Sequence, residues 1–170
     1  MVASELTEFN RKESFMELEA SYPVVVTDKL IECRDFYTRW FGFRVVFEAT
    51  WFVYLTSSDE GQHGIAFMTP DHPSRPPGPE AFDGTGILLT LQVPDAVSEF
   101  ERVRTSGLAV DHPLRDEPWG QRRFGLRDPA GVWVDVVEQI EPDPGFWDPY
   151  TGPNNSRRTP IVSEDRERTS

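Results

Sequence analysis

The side chains best suited to hold a metal or to act as base and nucleophile are His63, His72, His112 and the single cysteine, Cys33. They share no ligand spacing. His72 and His112 each precede a proline, in Pro70-Asp71-His72-Pro73 and Asp111-His112-Pro113, which places them in loops or irregular chain. No His-Glu-x-x-His pair, nucleophile elbow or phosphate loop occurs, so no catalytic residue is assigned. One cysteine excludes an intramolecular disulfide and a cysteine-based zinc cluster. What remains is aromatic chemistry. In Trp51–Thr56, Trp51, Val53 and Leu55 point one way, and Phe52, Tyr54 and Thr56 the other. In Val132–Ile140, Asp135 shares a face with Trp133 and Val137. Rings with one carboxylate among them suit a flat or cationic small molecule through stacking and cation–π contact. The competing reading is that these rings are ordinary core.

Positioning such groups needs regular elements, and the chain supplies them in a repeated order. Tyr22–Val26, Phe43–Glu48, Trp51–Thr56 and His63–Met68 read as strands, with a helix over Leu30–Phe41 after the first. Asp28 is the expected cap, Leu30, Phe36, Tyr37 and Trp40 the apolar side, and Gly42 the stop. A linker, Thr69–Thr85, holds five prolines. The order then restarts: strand Gly86–Val93, helix Ala96–Ser106 capped by Asp95 with Val97, Phe100 and Val103 inward, then strands at Leu108–His112, Arg122–Leu126 and Val132–Ile140. Val26-Thr27-Asp28 with Phe36 and Gly42 parallels Val93-Pro94-Asp95 with Phe100 and Gly107. The expected fold is α+β: two βαβββ modules, about 21–69 and 85–141, forming curved mixed or antiparallel sheets around a cleft.

The ends differ from this body. Residues 1–20 form an N-terminal extension with a sparse apolar side of Phe9, Met16 and Leu18. Residues 142–170 form a C-terminal arm and a mobile tail; Phe146, Trp147 and Tyr150 of the arm pack on the body or on a partner chain. The 29 acidic and 17 basic residues give a net charge of -12, which argues against a nucleic-acid partner. No apolar run approaches the roughly 18 residues that span a bilayer, and Met1–Ser21 lacks the pattern of an export leader. A cytoplasmic location is expected, and the sequon Asn154-Asn155-Ser156 is read as chance.

The first module carries Asp35-Phe36-Tyr37 and Trp40-Phe41-Gly42-Phe43, and the second Trp119-Gly120-Gln121-Arg122-Arg123-Phe124 and Asp128-Pro129-Ala130-Gly131-Val132-Trp133-Val134-Asp135. With the double βαβββ order, these runs resemble the vicinal oxygen chelate superfamily of glyoxalase I, extradiol dioxygenases and bleomycin-resistance proteins, closest in character to the last. The resemblance covers about residues 21–141. It implies a homodimer and, in metal-dependent members, ligands on the first, fourth, fifth and last strands. Those positions fall on Tyr22, on Gly64 to Ala66, on Leu88 and on Asp135. Only Asp135 is a ligand type, and His63 enters only through a slip of one residue, which reverses its face. No metal and no cofactor are therefore expected.

The expected ligand site is a cleft walled by Tyr22, Trp51, Phe52, Tyr54, Leu88, Thr90, Trp119, Phe124, Trp133 and Asp135, with Asp135 the charged anchor. Its counter-charge is Arg122, Arg123, a water or a ligand cation. The implied function is sequestration of an aromatic or cationic ligand such as an antibiotic or secondary metabolite. The alternative is a metal-dependent lyase, isomerase or dioxygenase of the glyoxalase type.

Overall fold

The computed structural model describes residues 20–58, 63–73 and 80–150. The N-terminal extension, save its last residue, and the C-terminal tail lie outside the described residues. Each module is a four-stranded sheet with one helix. The first has β1 (Val24–Val26), α1 (Leu30–Phe41), β2 (Arg44–Glu48), β3 (Phe52–Thr56) and β4 (Gly64–Met68). The second has β5 (Leu88–Gln92), α2 (Ala96–Thr105), β6 (His112–Glu117), β7 (Gln121–Arg127) and β8 (Trp133–Gln139). The sheet orders, β1-β4-β3-β2 and β5-β8-β7-β6, repeat the same topology. Both sheets are mixed. β1 runs parallel to β4 and β5 to β8, because each helix carries the chain across before the antiparallel meander begins.

α1 starts without a side-chain cap at Lys29, so Asp28 does not take the expected role; Thr27 Oγ1 accepts from the Lys29 N–H instead. Gly42 stops the helix in the left-handed conformation, φ 68°, where its N–H reaches the Tyr37 carbonyl. Asp95 does cap α2, accepting from Ser98 N at 2.9 Å. Val97 is exposed, not inward; Ala96 and Val103 are the buried side of α2. β6 lies later than expected, at His112–Glu117 rather than Leu108–His112. Pro113 is tolerated there because β6 is an edge strand and the pairing with β7 is irregular between His112 and Arg115.

One core joins the modules. Val53, Leu55, Ile65 and Phe67 meet Phe36 and Tyr37 of α1, while Phe124, Leu126, Val134 and Val136 lie on the α2 side of the second sheet. The modules are also tied by buried polar groups. The Tyr37 hydroxyl donates to Asp128 Oδ2 at 3.0 Å, and Asp128 Oδ1 accepts from Val132 N at 2.8 Å. Burial pushes the Asp128 carboxyl above its ordinary range, against the hydrogen bonds it accepts. Cys33 is fully buried beside this lock, and its thiol is pushed up to about 12 by burial and by Asp128, which makes it inert. No helix of the described residues is long and apolar enough to cross a membrane.

Candidate functional site

Each sheet has one face against its helix and one open face, and alternation decides which residue goes where. On the first sheet, Val24 and Val26 of β1 stand beside Ala66 and Met68 of β4, which stand beside Tyr54 and Phe52 of β3. This row is the open face, since Val25, Phe67, Val53 and Leu55 lie in the core. Tyr22 continues it, its ring 4.5 Å from that of Tyr54, and Phe47 of β2 extends it, 6.2 Å from Phe52. Tyr22, Val24 and Phe47 are 41%, 41% and 55% exposed, far more than core side chains. Gly64 makes room for Tyr54: a β-carbon at Gly64 would lie 2.6 Å from the ring.

The second sheet's open face is built on another plan. Register puts Leu88, Thr90 and Gln92 beside Trp133, Asp135 and Val137. Beyond these come Arg127, Gly125 and Arg123 on β7, then His112, Arg115 and Glu117 on β6. Asp135 is almost fully buried and already paired. Oδ2 accepts from Arg123 Nη1 at 2.8 Å and Oδ1 from Trp133 Nε1 at 3.0 Å. Arg123 also donates from Nε to Glu117 Oε1 at 3.0 Å and lies 5.1 Å over the Trp119 ring. Trp119 Nε1 donates to Gln121, and Arg127 lies 5.3 Å over the Trp133 ring. The Trp133 ring occupies the space that a β-carbon at Gly125 would need.

The structure therefore brings Tyr22, Phe52 and Tyr54 together on one open face. It brings Leu88, Thr90, Trp133 and Asp135 together on the other, with Trp119 reached through Arg123. Two expected residues fall elsewhere. Phe124 is fully buried on the helix side, edge-on to Phe100 at 5.4 Å, because it pairs with Val136 rather than with the Asp135 row. Trp51 precedes β3 and stacks on His72 with centroids 6.3 Å apart. Of the proposed counter-charges for Asp135, Arg123 is the one in place; Arg122 lies on the helix side, paired with Asp116. Asp135 is thus not a free anchor for a ligand cation.

The arm packs on the body. Trp147 Nε1 donates to the Trp119 carbonyl at 3.1 Å, and the Phe146 ring lies 6.3 Å from Trp119. Sequence reasoning missed Arg127, which alternation with Arg123 along β7 would have placed on the same face, and Arg115, which only the β6–β7 pairing puts there. It also missed a cavity of about 930 Å³ between the modules, lined by Trp40, Phe41, Phe43, Leu89 and Leu91. Thr90 is the one expected site residue that reaches it. Its lining also carries Arg39, His63, Gln92, Glu99 and Arg102, of which Arg102 is already engaged by Glu99 and the Trp40 carbonyl.

A metal needs several N or O donors converging from different strands. At the four positions that the family resemblance implies, only Asp135 is such a donor, and both its oxygens are bonded within the protein. Among the described residues no three His, Cys, Asp or Glu side chains come together. The residues present do not fit a family-type metal.

The glyoxalase/bleomycin resistance protein/dioxygenase superfamily model matches residues 20–136, both modules in full up to the middle of β8. The chain belongs to this superfamily. No curated protein sequence matches it. Solved structures share its fold. A lactoylglutathione lyase from Agrobacterium tumefaciens aligns with TM-score 0.58 at 21% identity, covering 74% of this chain and 95% of that one. A glyoxalase/bleomycin resistance protein/dioxygenase from Nocardioides aligns at 0.59 and 19% identity, over 78% and 89%. TioX from Micromonospora sp. ML1 aligns at 0.53 and 21% identity, over 74% and 100%. At these identities the likeness speaks for the fold, and function rests on the site.

Proposed function

We propose that this member of the superfamily is a small-molecule-binding protein that sequesters an aromatic ligand between its open sheet faces, without a metal and without chemistry. The observation that carries the reading is the state of Asp135. At the last ligand position of the fold stands a carboxylate locked to Arg123 and Trp133, while Tyr22 and Leu88 occupy positions where a metal needs imidazole. Large rings on both open faces, Tyr22, Phe52 and Tyr54 on one and Trp133 with Trp119 on the other, supply stacking surface. The lyase, isomerase or dioxygenase reading has the fold in its favour and lacks a donor set.

The protein is proposed to work as a homodimer in the cytoplasm. Tyr22, Val24, Phe47 and Leu88 leave an exposed apolar surface on the open faces, and a second copy would cover part of it. Metal analysis of the purified protein, run with a tryptophan-fluorescence screen of aromatic compounds, tests the function. Saturable quenching with substoichiometric metal is expected. Stoichiometric zinc, nickel or iron that is lost on Asp135→Asn would overturn it. Sedimentation at high micromolar concentration tests the dimer, and a monomer there would refute it.

A further inference from the structure

The cavity of about 930 Å³ between the modules has apolar walls that the described residues leave half covered. Trp40 and Phe41 at the end of α1 form one side, and Leu89 and Leu91 of β5 the other. All four pack on the core yet stay partly exposed. Apolar surface left in water is unfavourable, and a segment that covers it is held there by the water it displaces. β5 adds a second reason. It is an edge strand, with β8 on one side and, among the described residues, no strand on the other. Proteins commonly cover such an edge with a further segment of chain.

Ser21 lines the same cavity, so residues 1–19 join the body at this point. An extended chain covers about 3.3–3.6 Å per residue, which keeps Leu18 and Met16 within roughly 10 and 18 Å of Ser21. Both are apolar, as is Phe15 beside them. The charges also match. The segment holds Glu5, Glu8, Glu13, Glu17 and Glu19 against Arg11 and Lys12. In the cavity lining Arg102 and Glu99 pair with each other. The other guanidinium, Arg39, is exposed, 4.7 Å over the Trp40 ring, and meets no carboxylate among the described residues. We propose that residues 1–19 dock in this cavity within their own chain, with Phe15, Met16 and Leu18 against Trp40, Phe41, Leu89 and Leu91 and the glutamates toward Arg39. Docked there, the extension spans both modules and reinforces the junction that Tyr37 and Asp128 make. The open sheet faces remain clear of it.

The test uses the intact chain, labelled with nitrogen-15 and carrying a nitroxide on Ser14→Cys. Cys33 is fully buried, so the new cysteine alone takes the label. The amide signals of Gly42, Leu89 and Leu91 are expected to broaden, and those of β6, at the far edge of the second sheet, to lose much less. Adding Leu18→Asp should abolish that broadening, because a charge would replace an apolar contact. Adding Arg39→Glu should weaken it severalfold. Melting curves check that each variant is folded. If Gly42, Leu89 and Leu91 keep their intensity in the first sample, the segment does not cover the cavity and the inference fails. A mixed sample, in which one copy carries the nitroxide and another the nitrogen-15, separates the two possible sources. No broadening at these amides is expected there. Broadening as strong as in the singly prepared chain would place a second copy's extension in the cavity and overturn docking within the chain.

Discussion

The two modules share a topology strand for strand, yet their open faces are opposites. The first is apolar: Tyr22, Val24, Phe47, Phe52 and Tyr54 lie over a sheet floor of Ala66 and Met68. The second is a charged lattice in which Glu117, Arg123 and Asp135 link β6, β7 and β8. Even the ring-over-glycine contact is reversed. In the first module β3 gives the ring and β4 the glycine, Tyr54 over Gly64. In the second β8 gives the ring and β7 the glycine, Trp133 over Gly125. A fold repeated twice thus constrains the helix-side core, where both modules need apolar packing. It leaves the open faces free to diverge, one toward stacking surface and one toward charge.

The comparison breaks most sharply at the groups that join the halves. Asp128→Ala strips partners from the Tyr37 hydroxyl and the Val132 N–H, both buried. It is expected to cost about 3 kcal/mol in chemical denaturation, with no loss of ligand stacking in whatever remains folded. A cost below 1 kcal/mol, on the scale of a surface change, would mean that each module holds its own core.

Next in size is the glycine pair. Gly125→Ala should cost about 2 kcal/mol, because the Trp133 ring is held by its bond to Asp135 and cannot move without breaking it. Gly64→Ala should cost less, about 1 kcal/mol, since the partly exposed Tyr54 ring packs on Tyr22, itself exposed and able to shift with it. Thermal melting of the two variants checks the order, and the reverse order would refute the view that the second face is the stiffer.

Asp135→Asn is expected to lower stability by about 1–2 kcal/mol, as Arg123 Nη1 loses its charged acceptor. Affinity for a neutral aromatic ligand should hardly change. A stability gain with a loss of affinity would instead mark Asp135 as a ligand anchor.

The smallest effect is on pH. Burial raises the Asp128 carboxyl above its unfolded range, so the folded chain takes up the proton more readily than the unfolded one. The resulting stabilisation is complete below the unfolded Asp range and is lost as pH rises through the raised folded value. Wild type should therefore gain on Asp128→Asn as pH falls from 7 toward 4.5. Paired melting curves at the two pH values read the difference, and a gap that narrows on acidification would contradict it.

Periodicity and turn chemistry make most of the fold legible in the sequence. Alternating runs marked seven of the eight strands, Gly42 and Asp95 marked helix ends, and the repeat announced two modules. β6 escaped because Pro113 breaks the local signal and only its edge position makes the proline tolerable. Alternation also assigned Asp135 to the face of Trp133 and Val137 correctly, since that depends only on a period of two. Which side of the sheet the helix covers is another matter. Phe124 and Arg123 are neighbours, and nothing local says that the ring goes under α2 and the guanidinium to the open face. Pairing across strands decides it, as Phe124 meets Val136 and Arg123 meets Val137. The partner of Asp135 was equally undecided, because Arg122 and Arg123 are adjacent and point to opposite faces. Sequence determines the local periods and the charges available; the register of β7 against β8 determines which of those charges meet, because hydrogen-bonded pairing is a contact between segments distant along the chain.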